Sequence, residues 1–283
     1  MSKFELFVYH RLKLLRIFFQ IGTLLLIVAI PILNHFQIAF IIGTFYSLSI
    51  GHLDFADPTM VLQTILLQKQ IYFPLLLAGL VPIIISLLFG RIFCGWICPF
   101  NAIAEFIFWI QKKIKGKKVR KLSEVKNPRP HYFWIAFAIS ITIVMVFGIP
   151  FMSYISAPGL ISSQVADAIF IGQIGLEILL ILAILIVELI LFRRVWCKYI
   201  CPIGVMISLF RYKHTMGIKF DPEKCTGNRK VSWCNEVCQF NLNPKQNGIS
   251  PYCINCGDCV DICQRKYGKA LKFTFYKELP TDI

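Results

Sequence analysis

The chain has 283 residues, of which 57% are hydrophobic and 14% aromatic, and its mean hydropathy is +0.66. A soluble domain does not carry that much apolar surface, so the composition argues against a soluble enzyme and favours a membrane protein. The formal net charge of +15 is concentrated in a few blocks without an interleaved binding motif. We therefore expect contact with membrane lipid and no nucleic acid partner.

Four segments approach the roughly 20 apolar residues that a spanning helix needs. They are Ile17–Leu33, Ile71–Phe89, Tyr132–Phe151 and Ile171–Phe192. A fifth apolar segment, Phe36–Ser49, is shorter and is predicted to be interfacial or re-entrant. The pattern predicts an all-α integral membrane protein whose core is a four-helix transmembrane bundle.

Positive charges predict how these helices are oriented. The link between the second and third helices is strongly basic over residues 112–129, and basic residues also mark the N-terminus and the exit from the fourth helix. The other two connections carry almost no Lys or Arg. The positive-inside rule therefore predicts a multi-pass protein with both termini in the cytoplasm.

A polar stretch lies between the first two predicted helices. His52 and Asp54, at the outer edge of the membrane in this topology, would accept protons from a quinol as its electrons leave. The alternative is an ordinary polar loop, in which Asp57 caps the following helix and Pro58 occupies the first helical position.

An internal repeat follows the second and fourth helices. A C-x3-C-P motif at residues 94–99 recurs at residues 197–202, so the core is predicted to be two duplicated helical hairpins. We call its four cysteines the C-x3-C-P set; they are Cys94, Cys98, Cys197 and Cys201. Cysteines four apart share a helix face, and three interpretations stay open: a metal or cluster site, a thiol–disulfide relay, or structural thiols.

The fourth helix carries two acidic residues, Glu177 and Glu188, which return to one face within about 20° at 3.6 residues per turn. Acidic groups inside a bilayer are costly and by default indicate a proton path or an interior partner. For Glu188 an equal alternative is a carboxylic acid that stays neutral or pairs with Arg193 or Arg194.

The last part of the chain carries the strongest motif. Its C-x2-C-x2-C-x3-C run is typical of iron–sulfur proteins and consists of Cys253, Cys256, Cys259 and Cys263. The spacing is too crowded for one tetrahedral zinc ion, whose ligands usually come as separated pairs. No C-x-x-C-H motif is present, so c-type haem is excluded.

Two ligand sets for [4Fe–4S] clusters are predicted in this region, since the fourth cysteine of such a run usually ligates a second cluster. The first cluster set is Cys238, Cys253, Cys256 and Cys259. The second cluster set is Cys225, Cys234 and Cys263. The second set is one thiolate short, because Asn228 stands where a regular motif has a cysteine. We expect two domains. The transmembrane domain covers residues 1–215, and the cytoplasmic ferredoxin-like iron–sulfur domain covers residues 216–283.

Together, the four helices, the two C-x3-C-P motifs and the C-terminal cysteine motifs resemble the NapH-type membrane quinol dehydrogenase, over nearly the whole chain. The stretch from Asp57 to Gln63 before the second helix is part of the resemblance. It implies a protein of the bacterial inner membrane that oxidises quinol, expected to be menaquinol. Its electrons would pass through iron–sulfur centres to a periplasmic NapG-type ferredoxin, and then to a downstream cytochrome and nitrate reductase. It also implies activity only with partner subunits.

Two alternatives are weighed against this function. One is a cytoplasmic metal reductase of the related CcoG type, in which the C-x3-C-P set binds copper. The other is a non-catalytic membrane anchor or assembly factor, against which the acidic residues of the fourth helix argue.

Overall fold

The computed structural model describes residues 3–36, 41–44, 47–50, 53–115, 131–172, 175–191, 194–211, 214–225, 234, 237–240, 242–245, 250–266 and 269–276. Most of these residues are helical. The α-helices are α1 (Lys3–His35), α2 (Pro58–Gln68), α3 (Phe73–Phe89), α4 (Ile92–Trp96), α5 (Pro99–Lys115), α6 (His131–Phe147), α7 (Phe151–Ile155), α8 (Ala157–Phe170), α9 (Glu177–Leu191), α10 (Pro202–Leu209) and α11 (Asp258–Lys266). A π-helical turn spans Trp196–Ile200 and a 3-10 turn spans Pro222–Lys224.

The helices α1, α3, α6 and α9 lie in the four segments that the apolar pattern singled out. By length and composition, one helix in the described part of the chain can cross a membrane, over Arg11–His35. Three apolar helices are shorter, over Phe73–Phe89, Pro99–Ile110 and Trp134–Phe147. A mostly helical chain is thus confirmed, while the four-helix transmembrane bundle stays a prediction.

Two small sheets correct the all-α expectation. Strands β1 (Ile41–Thr44), β2 (Ser47–Ile50) and β3 (Leu53–Ala56) form an antiparallel sheet in that order. Polar and apolar residues alternate along β2 and β3, which suits a strand better than a helix. Strands β4 (Met216–Phe220) and β5 (Leu271–Phe275) pair antiparallel within the predicted C-terminal domain, with Ile218 opposite Phe273.

Helix α1 connects two ends of the molecule. Near its start, the Arg16 side chain contacts the cysteine-rich loop at residues 253–259. At its other end, Asn34 donates a 2.9 Å hydrogen bond to the Gly43 carbonyl of β1, and the His35 ring lies 6.1 Å from that of Phe170. At 1.5 Å per residue α1 rises about 29 Å between Arg16 and His35, close to the roughly 30 Å hydrocarbon core of a bilayer. We call these two ends the cysteine end and the sheet end.

The internal repeat is visible in the backbone. In the first copy the Cys98 amide donates a 2.9 Å hydrogen bond to the Phe93 carbonyl, and in the second copy the Cys201 amide donates one of 2.9 Å to Trp196. Both bonds span five residues, and a proline begins the next helix in each copy. The two motifs therefore end in the same way, although the second copy is π-helical and the first is α-helical.

Candidate functional site

The C-x3-C-P set lines one small cavity at the junction of the two repeats. Its volume is about 20 Å³, and all four thiols contribute to its wall together with Arg91 and Phe240. Cys98 and Cys201 are buried, whereas Cys94 and Cys197 are half-buried. The repeat thus brings together four cysteines that lie far apart in sequence.

Burial favours the neutral form of these thiols. It raises the pKa of Cys201 to about 11, and it also raises the pKa values of Cys98 and Cys197 well above that of an ordinary cysteine. Metals bind the thiolate, so loading a metal here would release protons.

Glu188 lies beside this cavity. Its side chain is 7% exposed, and the Arg194 guanidinium and the Cys197 thiol are close enough to interact with its charge. Arg194 also donates a hydrogen bond to the Gln239 side chain at 2.5 Å. The arrangement places one carboxyl group and one guanidinium next to the C-x3-C-P set.

The first cluster set lines a second cavity, of about 60 Å³, at the cysteine end. Three of its thiols come from the loop at residues 253–259, and Cys238 comes from a separate segment. The loop turns through positive φ at Asn255 (50°) and Gly257 (83°). The Leu242 amide lies 3.3 Å from the Cys238 sulfur, to which it donates a hydrogen bond. Four thiols around one buried space fit the ligand requirement of a [4Fe–4S] cluster.

The second cluster set lies against α11 next to the first set, because Cys259 of the first set belongs to the same buried cluster. Cys225, Cys234 and Cys263 pack with Leu271 in one apolar cluster. A hydrogen bond between Cys234 and Cys263 lowers the pKa of the Cys263 thiol, which favours the ligating thiolate form. Asn228 lies outside the described residues, so the fourth ligand of this set stays open.

Within the described ranges, no group of three or more His, Cys, Asp or Glu side chains is arranged to hold a single metal ion. A cluster makes a different demand, because its four thiolates bind four separate iron atoms and need not converge on one point. The described residues include all eleven cysteines, and none of them forms a disulfide bond. The arrangement therefore suits cluster ligands better than a mononuclear chelate or disulfides.

A buried arginine joins the first helix to the loop of the first cluster set. Arg16, 1% exposed, donates a 3.0 Å hydrogen bond to the Cys256 carbonyl. It also pairs with Asp258 at 2.9 Å and with Glu105 of α5. Sequence reasoning missed Arg16. The available signal was its position directly before the apolar segment Ile17–Leu33.

The same loop rests on the first C-x3-C-P motif. A Cβ atom built on Gly95 would lie 2.5 Å from the Ile254 carbonyl oxygen, so the two backbones are in direct contact. The Trp96 indole donates a 3.0 Å hydrogen bond to the backbone carbonyl of Asn255. The side-chain amide of Asn255 donates one of 2.8 Å to the backbone carbonyl of Phe89. In the second motif, the Lys198 ammonium group donates a 2.9 Å hydrogen bond to the Phe240 carbonyl.

The predicted proton-accepting residues are not brought together. Asp54 is exposed on β3 and accepts a 2.6 Å hydrogen bond from Ser49, while His52 lies outside the described residues. Asp57 caps α2, accepting from the Thr59 amide at 2.8 Å, so its expected capping role is confirmed. Glu177 begins α9, far along that helix from Glu188.

Glu177 lines a third and larger cavity of about 480 Å³, which extends from α8 towards the sheet end. Two buried amides, Gln63 and Gln164, also line it, and sequence reasoning did not select either. Gln63 is the last residue of the Asp57–Gln63 stretch, which is part of the family resemblance. Its place in that stretch was a usable signal. For Gln164 we find none, because α8 was expected to be a connection.

Comparison with known proteins bears directly on these segments. The family model described as "4Fe-4S binding domain" matches residues 71–118 and 174–219. One model thus matches twice, once for each copy of the repeat, and each match contains one C-x3-C-P motif. Iron–sulfur binding is therefore supported for this chain, although the matches do not give the number of clusters.

Several curated proteins are similar over most of the chain. The ferredoxin-type protein NapH of Haemophilus influenzae is 24% identical over 206 residues, which cover 68% of this chain and 66% of the relative. NapH of Escherichia coli is 25% identical over 231 residues, covering 77% and 75%. The methylamine utilization ferredoxin-type protein MauN of Paracoccus denitrificans is 24% identical over 256 residues, covering 90% and 76%.

No solved structure matches the chain. The sequence relatives and the repeated family match agree with the arrangement of its cysteines. The resemblance to NapH-type proteins is thereby confirmed, and the chain is similar to the NapH-like ferredoxin-type electron-transfer proteins.

Proposed function

We propose that this chain is the membrane quinol dehydrogenase component of an electron-transfer system. In this function it oxidises a quinol, expected to be menaquinol, and delivers the electrons through cysteine-bound iron–sulfur centres to a periplasmic reductase chain. The expected partners are a NapG-type ferredoxin and, beyond it, a cytochrome and nitrate reductase. The similarity to NapH proteins supports ferredoxin-type electron transfer. The oxidation of quinol is what we propose beyond that similarity.

The observation that carries the proposal is the direct contact between the two cysteine cavities. Phe240 lines both of them, and the backbones of Gly95 and Ile254 touch. Arg91 bridges the same junction, donating at 3.0 Å to the carbonyls of Pro251 and Cys197. Such continuity is what a protein needs to pass electrons between a membrane-facing centre and a cluster domain.

In this function the first cluster set would hold one [4Fe–4S] cluster, and the second cluster set would hold part of another. Bound clusters supply one-electron transfer at a potential that their surroundings tune. The chain itself supplies the loop, the thiols, the buried Arg16 and the half-buried Arg211 beside them. Both guanidinium groups interact with cysteines of the first cluster set, so they would offset the negative charge of a bound cluster.

The C-x3-C-P set would be one step of an electron route across the membrane, the step next to the cluster domain. If the cluster domain faces the cytoplasm and the acceptor is periplasmic, electrons must cross, and these four thiols are the candidate route. Glu188 would take up or release the accompanying proton, because it lies beside Cys197. Cys98→Ser and Cys201→Ser variants test the route; quinol oxidation at an unchanged rate in both would refute it.

The membrane location rests on the exposed apolar surface. Phe18 and Leu25 of α1 are 73% and 66% exposed, and Leu179 of α9 is 60% exposed. Exposed apolar area on this scale marks a surface that contacts lipid or another protein. Together with the positive-inside pattern, it supports a multi-pass protein of the inner membrane with both termini in the cytoplasm.

One specific observation favours a second candidate, a CcoG-like copper reductase. The C-x3-C-P cavity has room for little more than one atom-sized guest and is lined by four soft thiols, the ligand type that Cu(I) prefers. These thiols would have to move closer together to bind one ion. Copper titration of the purified protein distinguishes this function. Tight binding that is lost in Cys94→Ser and Cys197→Ser variants would support it, and the absence of binding would remove it.

The proposed function is tested by anaerobic iron and sulfide analysis combined with EPR. Protein reconstituted in lipid nanodiscs is measured as isolated, after dithionite, and after a reduced menaquinol analogue. We expect cubane-type signals that develop with the analogue. Clusters that dithionite reduces but quinol leaves oxidised would refute quinol oxidation and favour a metal-handling or assembly role.

A further inference from the structure

We infer that the 480 Å³ cavity between α2, α7 and α8 binds the headgroup of the quinol, with Gln63 and Gln164 as its hydrogen-bonding groups. This inference rests on the proposed function and adds a location to it. The volume lies within the range of about 300–1,000 Å³ that is usual for small-molecule sites. No residue of this cavity is among the site residues predicted from the sequence except Glu177.

Two buried amides face the cavity from different helices. Gln63 of α2 is 4% exposed and Gln164 of α8 is 7% exposed. Gln63 is held by Ser153 through two hydrogen bonds, of 2.9 and 3.2 Å. An amide group has two donor hydrogens and an oxygen with two acceptor sites, so the bonds to Ser153 leave capacity for a ligand.

Gln164 is positioned by groups on the opposite wall. Its amide nitrogen donates to the Glu177 carboxylate at 2.9 Å, and its oxygen accepts from the Gly175 amide at 3.0 Å. A Cβ atom at Gly175 would lie 2.2 Å from a Glu177 oxygen, so a side chain there would displace the Glu177 carboxylate. The cavity is therefore lined by a preformed polar pair rather than by loose surface groups.

The charges select the class of ligand. Among the described residues that line the cavity, Asp167 and Glu177 are acidic and none is basic. An anionic ligand such as a phosphate would be repelled. A neutral ring with two opposed oxygen atoms fits two amides on different helices, and the remaining wall, with Met60, Leu67 and Leu160, suits the apolar part of the ring.

The acidic residues complete the chemistry of quinol oxidation. Conversion to the quinone breaks two O–H bonds. Two electrons leave, one at a time, for the iron–sulfur centres of the cysteine end. Two protons pass to the Glu177 and Asp167 carboxylates and from there to solvent. Both acids lie on the cavity wall, so no additional base is required.

The position of the cavity suits electron transfer towards the cysteines. Its wall includes Gly159 and Leu160 of α8, while Ala157 and Pro158 of the same helix line the C-x3-C-P cavity. The two cavities thus lie on adjoining turns of one helix. From Pro158 to Gln164 the helix rises only about 9 Å. A quinol here would be close to the thiols and distant from the cluster loop.

The test measures binding separately from turnover. Menadione, a naphthoquinone headgroup without a tail, is titrated calorimetrically into the full chain in nanodiscs. An azido-naphthoquinone is crosslinked to the protein and mapped by mass spectrometry. The variants are Gln164→Leu, which removes one amide, and Ser163→Phe, which fills the cavity from an exposed position and leaves the buried hydrogen bonds intact. Gln70→Leu, at an exposed glutamine outside the cavity, is the matched control.

We expect both cavity variants to weaken menadione binding about tenfold or more, Gln164→Leu through the loss of one buried hydrogen bond and Ser163→Phe by occupying the space of the ring. Gln70→Leu should bind as the wild type does, and crosslinks should map to α2 and α8. Glu177→Gln should retain the bond to Gln164 and bind menadione, but should slow cluster reduction by quinol. Dithionite should reduce the clusters equally in all variants, which verifies that they are folded.

The outcomes separate the inference from the proposed function. If quinol reduces the clusters while both cavity variants bind menadione normally, the location is wrong and the function stands. If the variants lose binding but quinol reduces no cluster in the wild type, the site stands and the function is refuted. If the wild type binds no menadione and forms no crosslink, the location is refuted whatever the clusters do.

Discussion

The C-x3-C-P set and the first cluster set each place four thiols around one cavity, but the two are built differently. Helix ends from two repeats position the first, and their backbone hydrogen bonds match. A loop with two residues of positive φ positions most of the second. The cavities measure about 20 and about 60 Å³. Because a water-sized guest needs about 10–15 Å³, the first has room for one small guest and the second for several atoms.

Because the two sites are built differently, we expect their folding to depend differently on bound metal. Helix ends are fixed by their own backbone hydrogen bonds, so the C-x3-C-P set should keep its shape when empty. A loop of cysteines has few such bonds of its own, and metal binding then contributes to its folding. Four predictions test this contrast, beginning with the one of largest expected effect.

Replacing a cysteine of each set should separate the two most clearly. Cys256→Ser should remove the iron and sulfide of one whole cluster, because a cubane needs all four ligands for stable binding. Cys98→Ser should leave the iron content close to that of the wild type. Anaerobic iron and sulfide analysis measures both. An equal loss of iron in Cys98→Ser would mean that the C-x3-C-P set also holds a cluster.

Arg16→Met should lower the free energy of unfolding by about 3–5 kcal/mol, the usual cost of breaking a buried ion pair from one side. The substitution leaves Asp258 and Glu105 without their buried cation. Lys13→Met, at an exposed position of the same helix, should change stability by less than about 0.5 kcal/mol.

Urea unfolding, followed by loss of cluster absorbance, compares these two variants. A similar small effect in both would show that Arg16 does not stabilise the loop of the first cluster set.

Gly95→Ala tests the contact between the two sites. The new Cβ atom would lie 2.5 Å from the Ile254 carbonyl oxygen, so the loop must move, at a cost of about 1–3 kcal/mol. Gly22→Ala in α1 is the matched control, because nothing lies within 4 Å of its Cβ position. An alanine in a helix interior should even stabilise it, by about 0.5–1 kcal/mol.

The EPR line shape reports whether the loop has moved. An unchanged signal and unchanged stability in Gly95→Ala would contradict the close contact of the two sites.

Trp96→Phe should have the smallest effect. It retains the aromatic ring but removes the indole donor to the Asn255 carbonyl, at a cost of about 1 kcal/mol. Thermal unfolding of the reconstituted protein measures it, with Trp109→Phe as control at an exposed indole. A larger loss in the Trp109 variant would reverse the expected order.

The sequence predicted the features that depend on local patterns. Apolar runs located α1, α3, α6 and α9, and the repeated motif predicted that both copies would reach one face. Cysteine spacing predicted that Cys238 would accompany the 253–259 loop, and the structure places those four thiols around one cavity; their role as cluster ligands stays a prediction.

Features that depend on distant contacts could not be predicted in this way. α8 was taken for a connection, because its serine and alanine residues give no clear apolar run. Helix α8 contributes to the site because it packs between other helices. The pairing of Arg16 with Asp258 joins residues far apart in sequence, and the pairing of Gln164 with Glu177 joins two helices across 13 residues. No spacing rule encodes such contacts. The β1–β3 sheet was missed because its strands are only four residues long.

The bond between Arg16 and the Cys256 carbonyl spans 240 residues of sequence. The ribosome makes the first helix well before the loop, so Arg16 can meet Glu105 of α5 first and the Cys256 carbonyl only later. Contacts of such high sequence separation form late, since the entropy of closing the chain must be overcome first. Iron loading is therefore expected to be the closing step of biogenesis, and a cell short of iron should accumulate chains whose first helix is open to proteolysis.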